Sequence, residues 1–499
     1  MATVTTVTTA TTLLWVLPFV PVAFGLAMLG VRDRRLLSAL DLGSASLVFA
    51  LVLAVARAVL ADGSIRASAV LAADAVTVVF LLLIAFLCLA TAIYTVGWMR
   101  HEVDDGRIAE RRLPSYFALV QAFIATMLFT VLADNLGVLW IAMEGTTITS
   151  ALLVGFRRDR YGLEAAWKYI IVTTIGISFG LFGTVLVYAA AAHALGGASA
   201  GAMSFTTIAA IASRLDPGIV RIGFIFVIVG YGTKAGLAPV HMWLPDAHSQ
   251  APTPVSALLS GALIKCALFG IIRFHTIARG ACGPEFSGRL LLLFGLASIV
   301  VATPFILTQR DIKRLLGYHS VEHVGIVAFG LGIGGPVGTY AALLHVLNHG
   351  VTKALVFFVA GDALSRYHTR DMSRIQGFLR AAPFAGTFLM LGAFSLAGTP
   401  PFSIFVSELL VLRAGIAAAR FVPVAIFLVM VVVIFAGLIH HAGKMAFGEP
   451  GEGVRRGGEA PSGVLAMAML AAVMLLLGLT VPAPLHRLLT RAAEVTLGS

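Results

Sequence analysis

The chain has 499 residues, of which 59% are hydrophobic and only 12% are charged. Soluble domains carry about 25% charged residues, so this composition excludes an ordinary soluble globular protein. Apolar stretches of about 20 residues, each long enough to cross a bilayer core, recur from one end of the sequence to the other. We therefore predict an all-α polytopic membrane protein.

Hydropathy predicts fourteen membrane spans along the chain. The first stretch lacks a positively charged region and a small-residue cleavage site, so we expect a retained helix and not a signal peptide. In chain order the predicted spans cover residues 10–30, 36–60, 75–98, 113–133, 135–155, 163–193, 218–238, 253–278, 287–308, 315–334, 336–361, 383–411, 421–445 and 463–481.

The formal charge of +11 raises the possibility of nucleic-acid binding, but the basic residues lie in short loops that follow odd-numbered spans. The positive-inside rule places such loops in the cytoplasm, which puts both termini outside. The excess of arginine therefore indicates membrane topology and not a nucleic-acid site. The loop segments are "RDRR" (32–35), "RHEVDDGRIAERR" (100–112), "RRDR" (157–160), "RDIKR" (310–314), "RYHTRDMSR" (366–374) and "RR" (455–456).

The three cysteines, Cys88, Cys266 and Cys282, are far apart in sequence and form no Cys-x-x-Cys pair. Iron–sulfur clusters and zinc ribbons need several closely spaced ligands. We expect neither a cofactor nor a metal in this chain, so any redox chemistry would take place on partner chains.

Ionisable residues fall inside several predicted spans. Lysine, unlike arginine, can lose its proton when it is buried, so a site that alternates between charged and neutral forms favours Lys, Glu, Asp or His. A charge at a helix centre costs about 2.5–3.5 kcal/mol, which pairing or internal water must offset. For Lys168, near a span end, snorkelling to the surface is the competing explanation. The buried candidates are Lys168, Lys234, Lys265, Lys353, Glu144 and Glu408.

Span eleven places His345, His349 and Lys353 at positions i, i+4 and i+8, on one stripe of a helix. Histidine titrates near neutral pH, which favours a proton relay. One alternative is that these residues are hydrogen-bonded polar side chains of the core. The other is a zinc site, although the neighbouring sequence offers no acidic third ligand. The H-x-x-E-H pattern at residues 319–323 occurs in some zinc peptidases, but inside a hydrophobic span it favours a relay or an inter-helix contact.

Two spans are interrupted by glycine and proline. Span seven breaks within residues 232–245, and span twelve breaks within 396–408, next to Lys234 and Glu408 respectively. Matched breaks of this kind indicate inverted repeats around a midplane ion site. We expect spans four to eight and nine to thirteen to form two five-helix repeats. The expected sections are residues 1–110 (spans one to three), 111–280 (first repeat), 281–447 (second repeat) and 448–499 (span fourteen).

Four motifs resemble, in order, those of the antiporter-like membrane subunits of respiratory complex I, Mrp-type cation/proton antiporters and group 4 membrane-bound hydrogenases. They are "GYGTKAGLAPVHMWLPDAHSQAPTPVSALLSGALIKCALFGIIRF" (230–274), "RDIKRLLGYHSVEHVG" (310–325), "LLHVLNHGVTKALVFF" (343–358) and "AGTPPFSIFVSELL" (397–410). Within that family, "WMRHEVDDG" (98–106), residues 163–189 and residues 333–350 look most like hydrogenase-4 component F of formate hydrogenlyase-type complexes.

The resemblance implies roles for particular residues. Glu144 is similar to a glutamate that gates proton uptake and modulates the central lysine, which corresponds to Lys234. Lys265 is similar to the connecting lysine of span eight. His345, His349 and Lys353 fall on the relay helix, and Glu408 falls at the distal exit. Relatives usually have a Ser-Ser pair in span ten, where this chain has "GYHSVEH", so the role of His319 stays open.

The function that this resemblance implies is proton translocation across a bacterial cytoplasmic membrane, in a complex with membrane and peripheral redox subunits. An Mrp-like antiporter or bicarbonate-uptake subunit is the alternative. A structural scaffold that moves no ions is a third possibility.

Overall fold

The computed structural model describes residues 2–498, with side chains for residues 11–498, and it is almost entirely helical. In chain order the α-helices are α1 (Ala2–Leu29), α2 (Arg34–Asp62), α3 (Ala75–Asp104), α4 (Leu113–Leu132), α5 (Leu136–Val154), α6 (Arg160–Ala194), α7 (Phe205–Ala210), α8 (Pro217–Ala235), α9 (Trp243–Gln250), α10 (Thr253–Leu258), α11 (Ile264–Cys282), α12 (Pro284–Thr308), α13 (Ile312–Ile333), α14 (Gly335–Tyr367), α15 (Phe378–Ala381), α16 (Pro383–Leu396), α17 (Ser403–Ala417), α18 (Phe421–Ala446), α19 (Pro461–Leu479) and α20 (Ala483–Leu497).

Shorter elements connect these helices. A π-helical turn, Leu259–Leu263, joins α10 to α11. Strands β1 (Ile65–Arg66) and β2 (Ala72–Ala73) form a small antiparallel hairpin between α2 and α3, with Ile65 opposite Ala73. The 3₁₀ turns are Glu110–Arg112, Ala200–Met203, Ala212–Arg214 and Met372–Arg374.

Each of the fourteen predicted spans contains helix at its expected position, so the predicted polytopic helical fold is confirmed. Within the described residues, twelve helical segments are long and apolar enough to cross a membrane. The remaining two spans are α13, whose first half carries several ionisable side chains, and the interrupted pair α16 and α17. Both predicted breaks are present, after Ala235 and after Leu396.

Acidic and amide side chains start many of the membrane helices. Each accepts a hydrogen bond from a backbone N–H of the first turn, where the helix has no carbonyl partner of its own. These N-caps hold the helix ends at the membrane boundary without burying unsatisfied donors. They are Asp33 (α2), Asp74 (α3), Asn135 (α5), Asp159 (α6), Asp216 (α8) and Asp311 (α13).

The arginine-rich loops converge on one face of the bundle, which we call the basic-loop face. This agrees with the prediction that loops after odd-numbered spans share a side of the membrane. Their mutual contacts are Arg34–Asp104 at 3.2 Å, Arg157–Glu102 at 2.6 Å, Arg107–His368 at 2.8 Å, and Ile312 N–H to the Arg370 carbonyl at 3.0 Å.

The amphipathic helix α20 was not expected from the sequence. It buries Leu488, Leu489 and Ala492 against the bundle and exposes Arg487. It lies across the end of the bundle where α2 and α11 finish and where α3 and α14 begin, opposite the basic-loop face. Its contacts there include Thr276–Thr496 at 3.2 Å and Tyr340–His486 at 2.9 Å.

Candidate functional site

The break after α8 is built so that its backbone groups are satisfied inside the protein. Gly236 ends the helix in a left-handed conformation (φ +85°), and a Cβ there would lie 2.3 Å from Leu244. The Ala238 N–H donates to the Ser298 hydroxyl at 2.9 Å. The Trp243 indole donates to the Thr233 carbonyl at 2.7 Å, in addition to the longer 3.3 Å bond that this carbonyl accepts from the Gly236 N–H. Irregular backbone at membrane depth is tolerated only with such partners or in a cavity.

Lys234, in the last turn of α8, is fully buried and reaches Glu144 through a hydroxyl bridge. Its amine donates to Thr147 Oγ1 and to the Tyr169 hydroxyl, both at 2.7 Å. Thr147 Oγ1 in turn donates to Glu144 Oε2 at 3.2 Å, and Thr174 donates to the other carboxylate oxygen at 3.0 Å. The structure therefore brings Glu144 and Lys234 together, with one threonine between them.

Lys265 follows the π-helical turn in span eight and is also fully buried. Its amine donates to the Ser260 carbonyl, which lies within that turn, and to His349 Nδ1 at 2.9 Å. Helices α10 and α11 can approach α14 this closely because Gly261 and Gly350 face each other: a Cβ on Gly350 would lie 2.9 Å from the Gly261 carbonyl oxygen. π-Turns occur frequently at functional sites in helices.

Three histidines continue from Lys265 into the second half of the bundle. The His349 and His323 rings stack with centroids 4.5 Å apart, and His323 Nδ1 lies 3.0 Å from His345 Nε2. His345 Nδ1 lies 2.9 Å from the Ser407 hydroxyl on α17. All of these side chains are buried. The predicted histidine stripe on α14 is thus joined to α13 and to the helix after the second break.

Glu408 lies where the second break meets this histidine cluster. It is 7% exposed, and its Oε2 atom would be 2.1 Å from a Cβ on Gly398, a residue of the break with φ +65°. Ligating atoms of Glu408, His323 and His345 lie within 4.8 Å of one another. The acidic group missing from the neighbouring sequence is therefore supplied by a distant helix, and these three side chains could hold a cation.

Lys353 and His319 lie next to the series of contacts that runs from Lys265 through the histidines to Glu408. The Lys353 amine donates to the Leu316 carbonyl of α13 at 2.6 Å. His319 Nδ1 lies 2.8 Å from Glu322 Oε2, and both residues are buried. The second ligand group that could hold a cation is formed by His319, Glu322 and His323, which are the residues of the H-x-x-E-H pattern.

Lys168 does not join the buried groups. Its side chain is 52% exposed and pairs with Glu164 at 2.6 Å and Asp246 at 3.5 Å near the basic-loop face. Asp246 also pairs with Arg314 at 3.2 Å. This placement agrees with the alternative that Lys168 snorkels from a span end to the surface.

The sequence did not single out His248, which is fully buried on α9 just after the first break. Its Nδ1 atom lies 2.9 Å from the Leu244 carbonyl, and its Nε2 atom has no hydrogen-bond partner in the described part of the chain. The ring lies between Trp243 and Phe357, with centroid distances of 6.1 and 5.9 Å. The sequence feature that could have identified His248 is its position just after a glycine–proline break.

Among the described residues, the fully buried lysines Lys234, Lys265 and Lys353 form no ion pair with a carboxylate. Each instead donates to neutral acceptors: hydroxyls, carbonyls or a histidine nitrogen. An unpaired charge in a hydrophobic interior is expensive, whereas a neutral amine makes the same hydrogen bonds at lower cost. The hydrogen bonds of these three amines therefore do not require the charged form of the lysine.

Comparison with known proteins identifies the family. The transmembrane family described as NADH:quinone oxidoreductase/Mrp antiporter matches residues 133–435, which include both breaks and the buried groups above. The chain belongs to this family of antiporter-like membrane subunits. The predicted resemblance is confirmed.

Two curated relatives resemble this antiporter-like subunit closely. The hydrogenase-4 component F homolog of Methylacidiphilum infernorum is 37% identical over 402 residues, which cover 81% of this chain and 83% of that protein. Hydrogenase-4 component B of Escherichia coli is 30% identical over 347 residues, which cover 67% of this chain and 49% of that protein. The chain thus spans about half the length of the second relative.

Solved structures confirm the fold of the antiporter-like subunit. A chain of the membrane-bound sulfane sulfur reductase, an archaeal respiratory membrane complex, superimposes with a TM-score of 0.86. The match covers 98% of this chain and 97% of the other at 23% identity.

Proposed function

We propose that this antiporter-like subunit translocates protons across a bacterial cytoplasmic membrane, as part of a redox-driven complex of the hydrogenase or NADH:quinone oxidoreductase type. Its partners would be other membrane subunits and peripheral redox subunits. The observation that carries the proposal is the buried series of titratable groups that links Glu144 to Lys234 and Lys265 to Glu408. The similarity to hydrogenase-4 component F supports the type of complex.

The first part of the path would run from Glu144 to Lys234. The Lys234 amine donates to Thr147, and Thr147 donates to Glu144. For uptake, a protonated Glu144 would give its proton to the Thr147 oxygen while the Thr147 hydroxyl, rotated toward Lys234, gives its own proton to a neutral amine. One proton is transferred and the threonine is restored. Such a relay needs donors and acceptors within hydrogen-bond distance, which this segment has.

The second part would run from Lys265 through the histidine cluster to Glu408. The Lys265–His349 contact and the His323–His345 contact are 2.9 and 3.0 Å long. Neutral imidazole has one donor and one acceptor nitrogen, so it can accept a proton at one atom and give up another. Glu408, beside the second break, would receive the proton at the end of this series.

No hydrogen bond among the described residues joins Lys234 to Lys265. The two parts would therefore be coupled by the electrostatic interaction between their charges. Two charges interact by about 4 kcal/mol at 4 Å when the effective dielectric constant is about 20, and less in proportion to distance. Protonation of one lysine therefore disfavours protonation of the other.

The orientation would follow from the loops. The arginine-rich segments share the basic-loop face, and the positive-inside rule assigns that face to the cytoplasm. Both termini and α20 would then lie outside. Labelling of single introduced cysteines from either side of intact cells would test this assignment.

The test of the function uses Lys234→Met in the intact complex, with Lys444→Met, at an exposed helix end, as the matched control. Redox activity and proton pumping are measured in vesicles after assembly of both variants is verified. We expect Lys234→Met to reduce pumping at least tenfold and Lys444→Met to leave it unchanged. Undiminished pumping by a normally assembled Lys234→Met complex would contradict the proposal.

The alternative is an Mrp-like cation/proton antiporter or a bicarbonate-uptake subunit, since the matching family also includes Mrp antiporters. Vesicles that contain the complex can separate these functions. Proton movement driven by an imposed sodium or potassium gradient, without redox substrate, would favour the antiporter. Proton movement that requires redox substrate favours the function proposed here.

A further inference from the structure

A groove lies between α2, α3 and the amphipathic helix α20, away from the buried titratable groups. It encloses about 640 Å³ and combines an apolar wall with arginine side chains. Its wall includes Leu53, Leu82 and Leu485. Leu53 is 48% exposed, although it lies well inside a membrane helix.

Three arginines line this groove, and no acidic residue does. Arg491 donates to the Leu60 carbonyl at 2.7 Å and so caps the end of α2. Arg57 and Arg487 form no hydrogen bond or ion pair with another described residue. Two guanidinium groups therefore have their full donor capacity available to a ligand.

The groove extends from the membrane boundary into the apolar region. Leu53 lies nine residues before Asp62, the last residue of α2, which corresponds to a depth of about 14 Å at 1.5 Å per residue. Arg57 lies between these two levels, where a long side chain can reach the boundary while its stem stays in apolar surroundings. Leu53 on α2 and Leu82 on α3 thus lie further from the helix ends at this boundary than Arg57 does.

We propose that this groove binds one anionic phospholipid, such as phosphatidylglycerol or cardiolipin. Arg57 and Arg487 would bind the phosphate, with Arg491 contributing positive charge, and an acyl chain would lie along Leu53 and Leu82. Guanidinium groups bind phosphate through paired, charge-assisted hydrogen bonds. A soluble anion would match the arginines but would leave the apolar wall uncovered.

The lipid would join α20 to the membrane helices it crosses. Arg487 belongs to α20, whereas Arg57 belongs to α2. One phosphate bound by both residues connects the two helices at the boundary. The bound lipid is therefore expected to stabilise the docked position of α20.

The experiment uses the purified full-length chain in detergent and native mass spectrometry. Retention of phosphatidylglycerol is compared with that of phosphatidylcholine, and inorganic phosphate is added separately as a competitor. We expect one phosphatidylglycerol per chain, at least tenfold preference over phosphatidylcholine, and no displacement by 10 mM phosphate, a concentration about ten thousand times a micromolar dissociation constant. Displacement by phosphate, or equal retention of both lipids, would overturn the proposal.

The variants are the double change Arg57→Gln with Arg487→Gln and, as a charge-matched control, the double change Arg289→Gln with Arg374→Gln, in which Arg374 is exposed beside Asp371. Arg289 is exposed at the start of α12 and pairs with Glu285, away from the groove. The double variant should lose at least tenfold in phosphatidylglycerol retention, and the control should lose none. Equal loss in both would show a general charge effect and refute a specific site.

A third variant, Leu53→Trp, addresses the apolar wall. It leaves all three arginines in place and fills the space assigned to the acyl chain. Retention of phosphatidylglycerol should fall, whereas a short-chain analogue should still bind. If a cysteine at position 53 forms crosslinks to a partner subunit in the intact complex while no lipid is retained, the groove binds a protein and the lipid assignment is wrong.

Discussion

Gly261 and Gly350 face each other across the crossing of α10–α11 with α14. A Cβ at position 350 would lie 2.9 Å from the Gly261 carbonyl oxygen and 2.7 Å from Leu83. Real side chains do not approach backbone oxygen this closely, so the crossing requires glycine at position 350; a Cβ at position 261 would lie 3.2 Å from the Gly350 carbonyl oxygen. The same crossing places the Lys265 amine 2.9 Å from His349.

Gly350→Ala should separate the two helices and weaken the Lys265–His349 contact. Overpacking of a dense core costs about 1–3 kcal/mol, so the variant should fold with a lower Tm. If the proton path runs through this contact, pumping should fall more than complex assembly does. Gly443→Ala, where no atom lies within 4 Å of the new Cβ, is the matched control and should change neither quantity.

Thr147→Val removes the hydroxyl that connects Lys234 to Glu144 and keeps the shape of the side chain. We expect proton pumping to fall at least tenfold, with assembly retained, and Thr147→Ser to restore most of it. Thr149→Val is a control on the same helix, because the Thr149 hydroxyl bonds only to carbonyls of its own helix. Equal pumping by both valine variants would show that the bridge is not needed.

Gly398→Ala should displace Glu408, since the new Cβ would lie 2.1 Å from its carboxylate. Part of the cost would come from the positive φ of residue 398, about 1–2 kcal/mol for a left-handed residue. Gly335 has a similar φ of +66°, and no atom lies within 4 Å of the Cβ that an alanine would add there. Gly335→Ala therefore measures the backbone cost alone. A greater loss of pumping in Gly398→Ala than in Gly335→Ala would support a role for Glu408; equal losses would argue against it.

Asp74 gives a pH-dependent contribution to stability. Arg273 donates to its two carboxylate oxygens at 2.6 and 2.9 Å. Burial alone would raise the pKa of Asp74, but the Arg273 charge and the hydrogen bonds from Arg273 and Thr77 hold that pKa below its ordinary value. The stabilisation is therefore present above the unfolded pKa of about 4 and is lost as the pH falls through the lower folded value.

Asp74→Asn should accordingly lower the free energy of unfolding by about 1–3 kcal/mol at pH 7, because it leaves a largely buried guanidinium without its partner. The difference from the unchanged protein should shrink as the pH is lowered below about 4. Thermal unfolding in detergent at several pH values measures both effects. Asp216→Asn, an exposed N-cap without an arginine partner, should show a smaller difference at pH 7.

The sequence predicted the membrane helices well because hydropathy follows from the bilayer thickness, and it predicted both breaks because glycine and proline interrupt helices locally. It could not predict α20. That helix is amphipathic, and its polar face lowers its mean hydropathy below that of a span. The π-turn before Lys265 could not be predicted either: it contains Gly261, but a single glycine does not indicate a π-turn.

The individual ionisable residues were found from their unfavourable position in apolar segments, but their contacts depend on the tertiary structure. Thr147 is unremarkable in sequence and becomes the bridge between Lys234 and Glu144 only after α5 and α8 pack. The proximity of Glu408 to His323 joins residues 85 positions apart. Lys168, which the sequence places near a span end, is half exposed in the structure.

Helix α20 also restricts how α11 and α14 can move relative to each other. It holds both helices at one end, through Thr276–Thr496 and Tyr340–His486. Lys265 lies eleven residues from Thr276, about 16 Å along α11, so a tilt of about 5° pivoting at α20 would move its amine by about 1.4 Å. That displacement would break a 2.9 Å hydrogen bond to His349. Attachment to α20 at one end of the bundle therefore makes the Lys265–His349 contact sensitive to a small tilt of α11 against α14.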